Sequence, residues 1–166
     1  MHNAITDDFF YKGLPNFEYE PVAVDLIFRD GDTIKLGDIA LTGLLTEGHC
    51  KGATTWTTNV VDNEKVYSVV FPDGTGVNPG YREMKSASYP GIDKDYRRTF
   101  HILESLKPDI WLALHNEVYG FNDKRARSAK EGAQAWVDPE GYRKYVIEQR
   151  EKFETTANKE MCEISK

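Results

Sequence analysis

Apolar and polar positions alternate in short segments through the first half of the chain, and turn residues separate the segments. Apolar residues occupy every second position from Val22 to Phe28, which is the period-two pattern of a strand with one apolar face. Turn signals at 30–32, 37–38 and 62–64 then predict a series of hairpins. The strands expected between these turns cover residues 33–36, 39–45, 54–61 and 66–71.

The pattern changes after a loop at 72–80 that is rich in glycine and proline. Apolar residues three or four positions apart, from Ile92 to Leu106, predict a helix that Pro108 ends. Residues 110–114 form a continuous apolar run, typical of a strand buried on both faces. A short helix over 123–130 and a longer amphipathic helix starting at Asp138-Pro139 follow.

This order of strands, helix, strand and helices predicts a mixed α/β fold with helices packed on a sheet. The first half of the chain supplies no helix to cover that sheet. We therefore expect residues 1–166 to form a single partial domain of a larger fold.

Composition narrows the class of protein. The 166 residues carry a net charge of −6, which argues against nucleic acid as the main partner, and 12% of them are aromatic, which argues against disorder. No apolar stretch is long enough to span a membrane, and the first eight residues lack the pattern of a secretory signal. Cys50 and Cys162 are expected as free thiols, although a single disulfide stays open.

Histidines are the main candidates for chemistry, and there are four of them. His49 lies between two glycines after a predicted strand, and His115 directly follows the apolar run at 110–114. Neutral imidazole is the commonest metal ligand, and ligands gather at the carboxyl ends of strands in α/β folds. Taken alone, such histidines are more often structural. His101 is expected to face solvent, as is the cationic segment from Lys124 to Arg127.

Residues 41–56, LTGLLTEGHCKGATTW, resemble the HLTPGHTxGxTTW segment of metallo-β-lactamases, specifically the third subclass of class B. Further segments resemble that family in the same order along the chain. They are residues 30–32, 77–81, 89–90, 95–100, 109–115, 121–125 and 137–142.

The resemblance implies the C-terminal half of an αβ/βα sandwich with a di-zinc site at the edge of two sheets. His49 would bind the first zinc ion and His115 the second, while Asn78 and Tyr81 would border a β-lactam substrate. In such enzymes, zinc-bound hydroxide attacks the lactam carbonyl. The family works in the periplasm and confers antibiotic resistance.

The chain also departs from the family pattern. The HxHxDH motif, which supplies most of both metal sites, is absent, and Glu47 and Cys50 replace a proline and a threonine. A catalytic zinc ion usually needs three protein ligands. We therefore expect an incomplete zinc site and an inactive isolated chain.

Two alternatives stay open. One is a non-catalytic polypeptide that folds with a partner, either the missing N-terminal half or a second copy of itself. The other is a related metallo-hydrolase that acts on lactones or thioesters, because one fold hosts several activities.

Overall fold

A single mixed sheet of five strands forms the centre of the fold. The computed structural model describes residues 23–73, 75–77 and 87–164. The strands are β1 (Thr33–Leu36), β2 (Ile39–Leu45), β3 (Thr54–Asp62), β4 (Lys65–Phe71) and β5 (Ile110–Trp111), and they lie side by side in that order. The first four pair antiparallel, and β5 joins β4 in parallel.

Two-residue turns set the register of the β1–β2 and β3–β4 hairpins. Gly37 connects β1 to β2 with a positive φ of 59°, and Asn63 and Glu64 connect β3 to β4 with φ values of 48° and 66°. Positive φ at the centre of a tight turn matches the twist of the flanking strands. The hairpins predicted at 37–38 and 62–64 are confirmed, with their strand bounds changed by no more than one residue. The hairpin predicted at 30–32 is wrong, because the described residues before that turn form no strand.

In the part of the chain that the structure describes, three helices follow the hairpins. They are α1 (Ile92–Ser105), α2 (Phe121–Glu131) and α3 (Pro139–Ile164), with 3₁₀ turns at Asn116–Tyr119 and Gly132–Trp136. Asp138 caps α3, because its Oδ1 accepts a hydrogen bond of 3.0 Å from the amide of Gly141. Within the described ranges, no helix has both the length and the hydropathy needed to cross a membrane.

The main core lies between one face of the sheet and the helices α1 and α3. The apolar stripe of α1 meets Val70 of β4, Trp111 of β5 and the apolar residues of α3. The fully buried residues of this core include Ile92, Tyr96 and Leu103 from α1 and Val146 and Phe153 from α3. This packing fixes α1 against the ends of the central strands, where the candidate site lies.

The opposite face of the sheet is apolar and only partly covered. Near β5, the 3₁₀ turn Gly132–Trp136 packs on Tyr67, Val69 and Ile110. Toward β1 the same face, identified by the strand register, becomes open to solvent. We call this region the apolar sheet face; its exposed members are Ile34 (39% exposed), Leu36 (81%), Ile39 (56%) and Val60 (38%).

One predicted strand is absent from the described residues, and another is shorter than predicted. In the strand predicted at 22–28, the described residues 23–28 are not a strand, because no described neighbour forms a ladder with them. Leu26 and Ile27 are largely exposed, and Val22 lies outside the described residues. The predicted strand over 110–114 ends at Trp111, because β4, which pairs with it, ends at Phe71. Leu114 is 68% exposed, so this run is not buried on both faces along its length.

The prediction of a solvated cationic segment is wrong for Lys124. Its side chain is 8% exposed, and its ammonium group donates a 2.8 Å hydrogen bond to Oδ2 of Asp138. The indole of Trp111 donates to the same oxygen at 3.2 Å. Burial acts to raise the pKa of Asp138, but hydrogen bonds from Lys124, Gly141 and Trp111 outweigh burial and lower it.

Asp138→Ala is expected to lower the free energy of unfolding by about 3 kcal/mol, because it leaves a buried ammonium group without its carboxylate and removes a helix cap. Urea unfolding followed by circular dichroism measures this. Glu140→Ala serves as the control, because its ion pair with Arg143 is exposed and should contribute less than about 1 kcal/mol. Equal effects of the two substitutions would contradict this account of Asp138.

Acid should weaken the fold through the same carboxylate. The pKa of Asp138 is lower in the folded chain, so its stabilising contribution is complete above the unfolded value of about 3.9 and is lost as the pH falls through the folded value. Between about pH 4 and pH 2, Asp138→Asn should therefore lose less stability than the unchanged chain. Parallel losses in urea titrations across this range would refute the assignment.

Candidate metal centre

His49 lies in the loop that connects β2 to β3, and hydrogen bonds close this loop at its base. The amide of Thr46 donates to the carbonyl of Ala53 at 2.9 Å, and the hydroxyls of Thr46 and Thr55 are 2.9 Å apart. Both threonines are fully buried. The loop therefore leaves the sheet from a fixed base and presents His49, which is half-buried, at its tip.

A hydrogen bond to Gly76 shows which nitrogen of the His49 ring carries the hydrogen. Its Nδ1 lies 2.8 Å from the carbonyl oxygen of Gly76. A carbonyl can only accept, so Nδ1 carries the hydrogen. In the neutral ring, Nε2 then holds the lone pair that can bind a metal ion. A hydrogen bond from the other ring nitrogen to a backbone carbonyl is the usual support of a metal-binding histidine.

Side chains of helix α1 donate hydrogen bonds to the backbone of β2 and of the His49 loop. Thr99 donates to the carbonyl of Glu47 at 2.6 Å, and Arg98 donates to the carbonyl of Leu45 at 2.6 Å. The second guanidinium nitrogen of Arg98 forms a 2.6 Å ion pair with Asp30. Consecutive residues of one helix thus bind both the end of β2 and the residue two positions before His49. We call these contacts the α1 clamp.

Gly48 allows the loop to approach α1 closely. It has a φ of 138°, and a Cβ atom built there would lie 2.7 Å from Cδ1 of Tyr96. Such a distance is too short for ordinary carbon contact. The glycine before His49 is therefore required both by the backbone conformation and by the buried tyrosine ring beneath it.

Acidic and phenolic groups surround the clamp. Burial, followed by the nearby Asp95, raises the pKa of Glu47 despite the opposing charge of Arg98. Burial, followed by the nearby carboxylate of Asp95, raises the pKa of Tyr89, which is a neutral phenol at physiological pH. Lys51 lies over the Tyr89 ring, 5.1 Å from its centre. The loop is thus supported by a mixture of neutral and charged groups.

His115 has a different environment. It is exposed, and it immediately precedes the 3₁₀ turn Asn116–Tyr119, whose Val118 amide donates to the His115 carbonyl at 3.1 Å. Because β5 ends at Trp111, His115 is separated from the sheet by three residues instead of following a strand directly. Its role as a second zinc ligand stays a prediction.

The other candidates are distributed unevenly. Asn78 and Tyr81 lie outside the described residues. His101 is exposed on α1, as predicted, and Cys50 and Cys162 are exposed and form no disulfide. Within residues 23–73, 75–77 and 87–164, no three histidine, cysteine, aspartate or glutamate side chains come together as a possible metal site.

The sequence reasoning missed the groups that support His49. Tyr96 lies on the predicted apolar stripe of α1, and Tyr96, Arg98 and Thr99 all belong to the segment 95–100 that resembles the family. Neither pattern indicates contact with the His49 loop. Gly76 contributes a backbone carbonyl, which no residue identity reveals. The only available signal was Gly48, since a glycine beside a candidate ligand often marks a close approach.

No model of a protein family matches the sequence. Solved structures do match. The FEZ-1 metallo-β-lactamase of Legionella gormanii has 34% identity and a TM-score of 0.86, over 92% of this chain and 58% of that one. BJP-1 of Bradyrhizobium japonicum, a subclass B3 metallo-β-lactamase, has 30% identity and a TM-score of 0.82 over the same shares.

A metallo-β-lactamase of Cronobacter sakazakii with an HARLDQ motif is similar as well, with 32% identity and a TM-score of 0.80 over 94% of this chain and 60% of that one. The chain therefore has the α/β fold of the metallo-β-lactamases. The solved structures that it resembles are metallo-β-lactamases of subclass B3, the group to which the sequence resemblance points. It spans about 58% of the length of the first two relatives, in accord with the expected C-terminal portion.

Gly48→Ala is expected to lower the free energy of unfolding by more than about 1 kcal/mol, because the residue needs a positive φ and has no space for a methyl group. Gly52→Ala, in the same loop, is the matched control, since a Cβ there meets nothing within 4 Å. Urea unfolding compares the two variants. If both cost the same, the close contact between Gly48 and Tyr96 does not constrain the loop.

Proposed function

We propose that the chain is the C-terminal portion of a zinc-dependent hydrolase of the metallo-β-lactamase type. The observation that carries this proposal is the His49 ring, whose Nδ1 hydrogen is bound to Gly76 in a fold shared with subclass B3 enzymes. A ring held in this way offers Nε2 to a metal ion. Structural similarity at 30–34% identity over most of the chain supports the same class of protein.

His49 is proposed as a ligand of one zinc ion and His115 as a ligand of a second. When bound, zinc supplies a hydroxide nucleophile near neutral pH and polarises a carbonyl oxygen. The chain's own contribution is to fix the imidazole of His49 through Gly76 and the α1 clamp. Asn78 and Tyr81 are proposed to border the substrate, from a segment outside the described residues.

The chain fits this role only in part. A catalytic zinc ion usually has three protein ligands, and the sequence contains four histidines without an HxH pair. The described residues bring no three possible ligands together. The remaining ligands are therefore proposed to come from a polypeptide that carries the HxHxDH motif, either in the same gene product or as a separate chain.

The apolar sheet face is the proposed packing surface for that polypeptide. Leu36 is 81% exposed and Ile39 56% exposed, on the side of the sheet opposite to α1 and α3. Burying such side chains contributes about 25 cal/mol per Å² of apolar surface. A second layer on this face would lie beside the edge from which the His49 loop emerges.

The substrate class follows from the relatives, which are named as β-lactamases. We propose a β-lactam as the substrate, with lactones or thioesters as the alternative within the same chemistry. The periplasm is the proposed location, by analogy with the family. Glu47 stands where the family motif has proline, and its main chain, through Thr99, is part of the α1 clamp.

A second candidate function is a non-catalytic polypeptide that is stable only with a partner. The observation that favours it is the apolar sheet face, because exposed apolar strands promote association. A stable homodimer of the isolated chain, measured by analytical ultracentrifugation, would support this candidate over the enzyme.

Hydrolysis of a chromogenic β-lactam tests the enzymatic proposal. We expect no turnover by the chain alone and recovered turnover when a polypeptide bearing HxHxDH, from a subclass B3 relative, is added. In that mixture, His49→Gln should lower kcat/KM by more than about 100-fold, since the loss of a ligand should cost more than the loss of its supporting partner.

His101→Gln is the matched control, because this histidine is exposed on α1. It should leave turnover unchanged. Equal losses for the two variants, or full activity of the His49→Gln mixture, would overturn the assignment of His49. Robust hydrolysis by the unmixed chain would overturn the proposal that its zinc site is incomplete.

A further inference from the structure

Tyr96 combines a buried ring with a hydrogen bond from its hydroxyl to the backbone near His49. Its side chain is fully buried, and its ring lies 5.0 Å from the ring of Phe153 and 6.3 Å from that of Phe100, measured between centres. Packing on these two rings fixes where its hydroxyl can reach. That hydroxyl donates a 3.0 Å hydrogen bond to the carbonyl oxygen of Gly76.

The same carbonyl oxygen receives the hydrogen of His49 Nδ1 at 2.8 Å. A carbonyl oxygen has two lone pairs and can accept both bonds. The segment 75–77 is held from a second side, because the hydroxyls of Thr75 and Tyr145 are 2.9 Å apart. Tyr96 and His49 therefore share one acceptor, the carbonyl oxygen of Gly76.

We propose that Tyr96 is a positioning residue for His49. By holding the Gly76 carbonyl in place, it keeps the imidazole in the tautomer with hydrogen on Nδ1. Without the phenol, the carbonyl could turn toward water and the ring would lose its preference for one tautomer. The use of Nε2 as a zinc ligand rests on the proposed function, whereas the effect on the tautomer does not.

The test uses the full 166-residue chain without metal. Long-range ¹H–¹⁵N spectra distinguish the two histidine tautomers and are recorded for the unchanged chain and for Tyr96→Phe, which keeps the ring and removes only the hydroxyl. We expect a single Nδ1-hydrogen tautomer for His49 in the unchanged chain. Tyr96→Phe should give a mixture, with a new population that carries hydrogen on Nε2.

Tyr142→Phe is the matched control. Tyr142 is also buried, and its hydroxyl donates to a backbone carbonyl, that of Leu103, at 2.9 Å. This variant should lose stability to a similar extent and leave the His49 spectrum unchanged. A merely structural role for Tyr96 predicts that the two variants behave alike, and that result would overturn the proposal.

A folded Tyr96→Phe chain with the unchanged His49 tautomer would also overturn it. Because no zinc is present, this readout is independent of whether the chain binds zinc. Tautomer mixing in Tyr96→Phe together with absent zinc binding in every mixture would uphold the role of Tyr96 and refute the proposed function separately.

Discussion

The candidate site depends on the contacts between helix α1 and the loop that carries His49. Arg98 and Thr99 of α1 bind the carbonyls of Leu45 and Glu47, and Tyr96 lies beneath Gly48. These contacts work only because α1 is itself fixed by the core between the sheet and α3. The packed core thus fixes α1, and α1 fixes the position of the His49 imidazole. A metal-binding residue requires this kind of rigid support.

The distribution of apolar surface over the two faces of the sheet is consistent with the proposal that His49 belongs to an incomplete zinc site. One side of the sheet is closed by α1 and α3, whereas the apolar sheet face retains exposed side chains such as Leu36 and Ile39. The chain matches its relatives closely but spans about 58% of their length. Both observations agree with the proposal that the chain forms one layer of a larger fold, whose second layer would bring the other proposed zinc ligands.

Features that depend on neighbouring residues were predictable from the sequence. The hairpin at Gly37 and the Asp138 cap of α3 follow from local backbone preferences, so both were correct. Features that depend on distant partners were not. Lys124 is buried because Asp138 and Trp111 meet it in space, and residues 23–29 lack the neighbouring strand that their alternation implies. The motif around His49 located the candidate ligand, but its support from Gly76 and Tyr96 required the tertiary structure.

Zinc stoichiometry tests the central claim most directly. The isolated chain is dialysed against micromolar zinc, alone and with a polypeptide that carries HxHxDH, and the retained metal is measured by elemental analysis. The account predicts well under two zinc ions per chain alone and two per complex, because one imidazole per ion is too few ligands for tight binding. Two tightly retained zinc ions on the chain alone would contradict it.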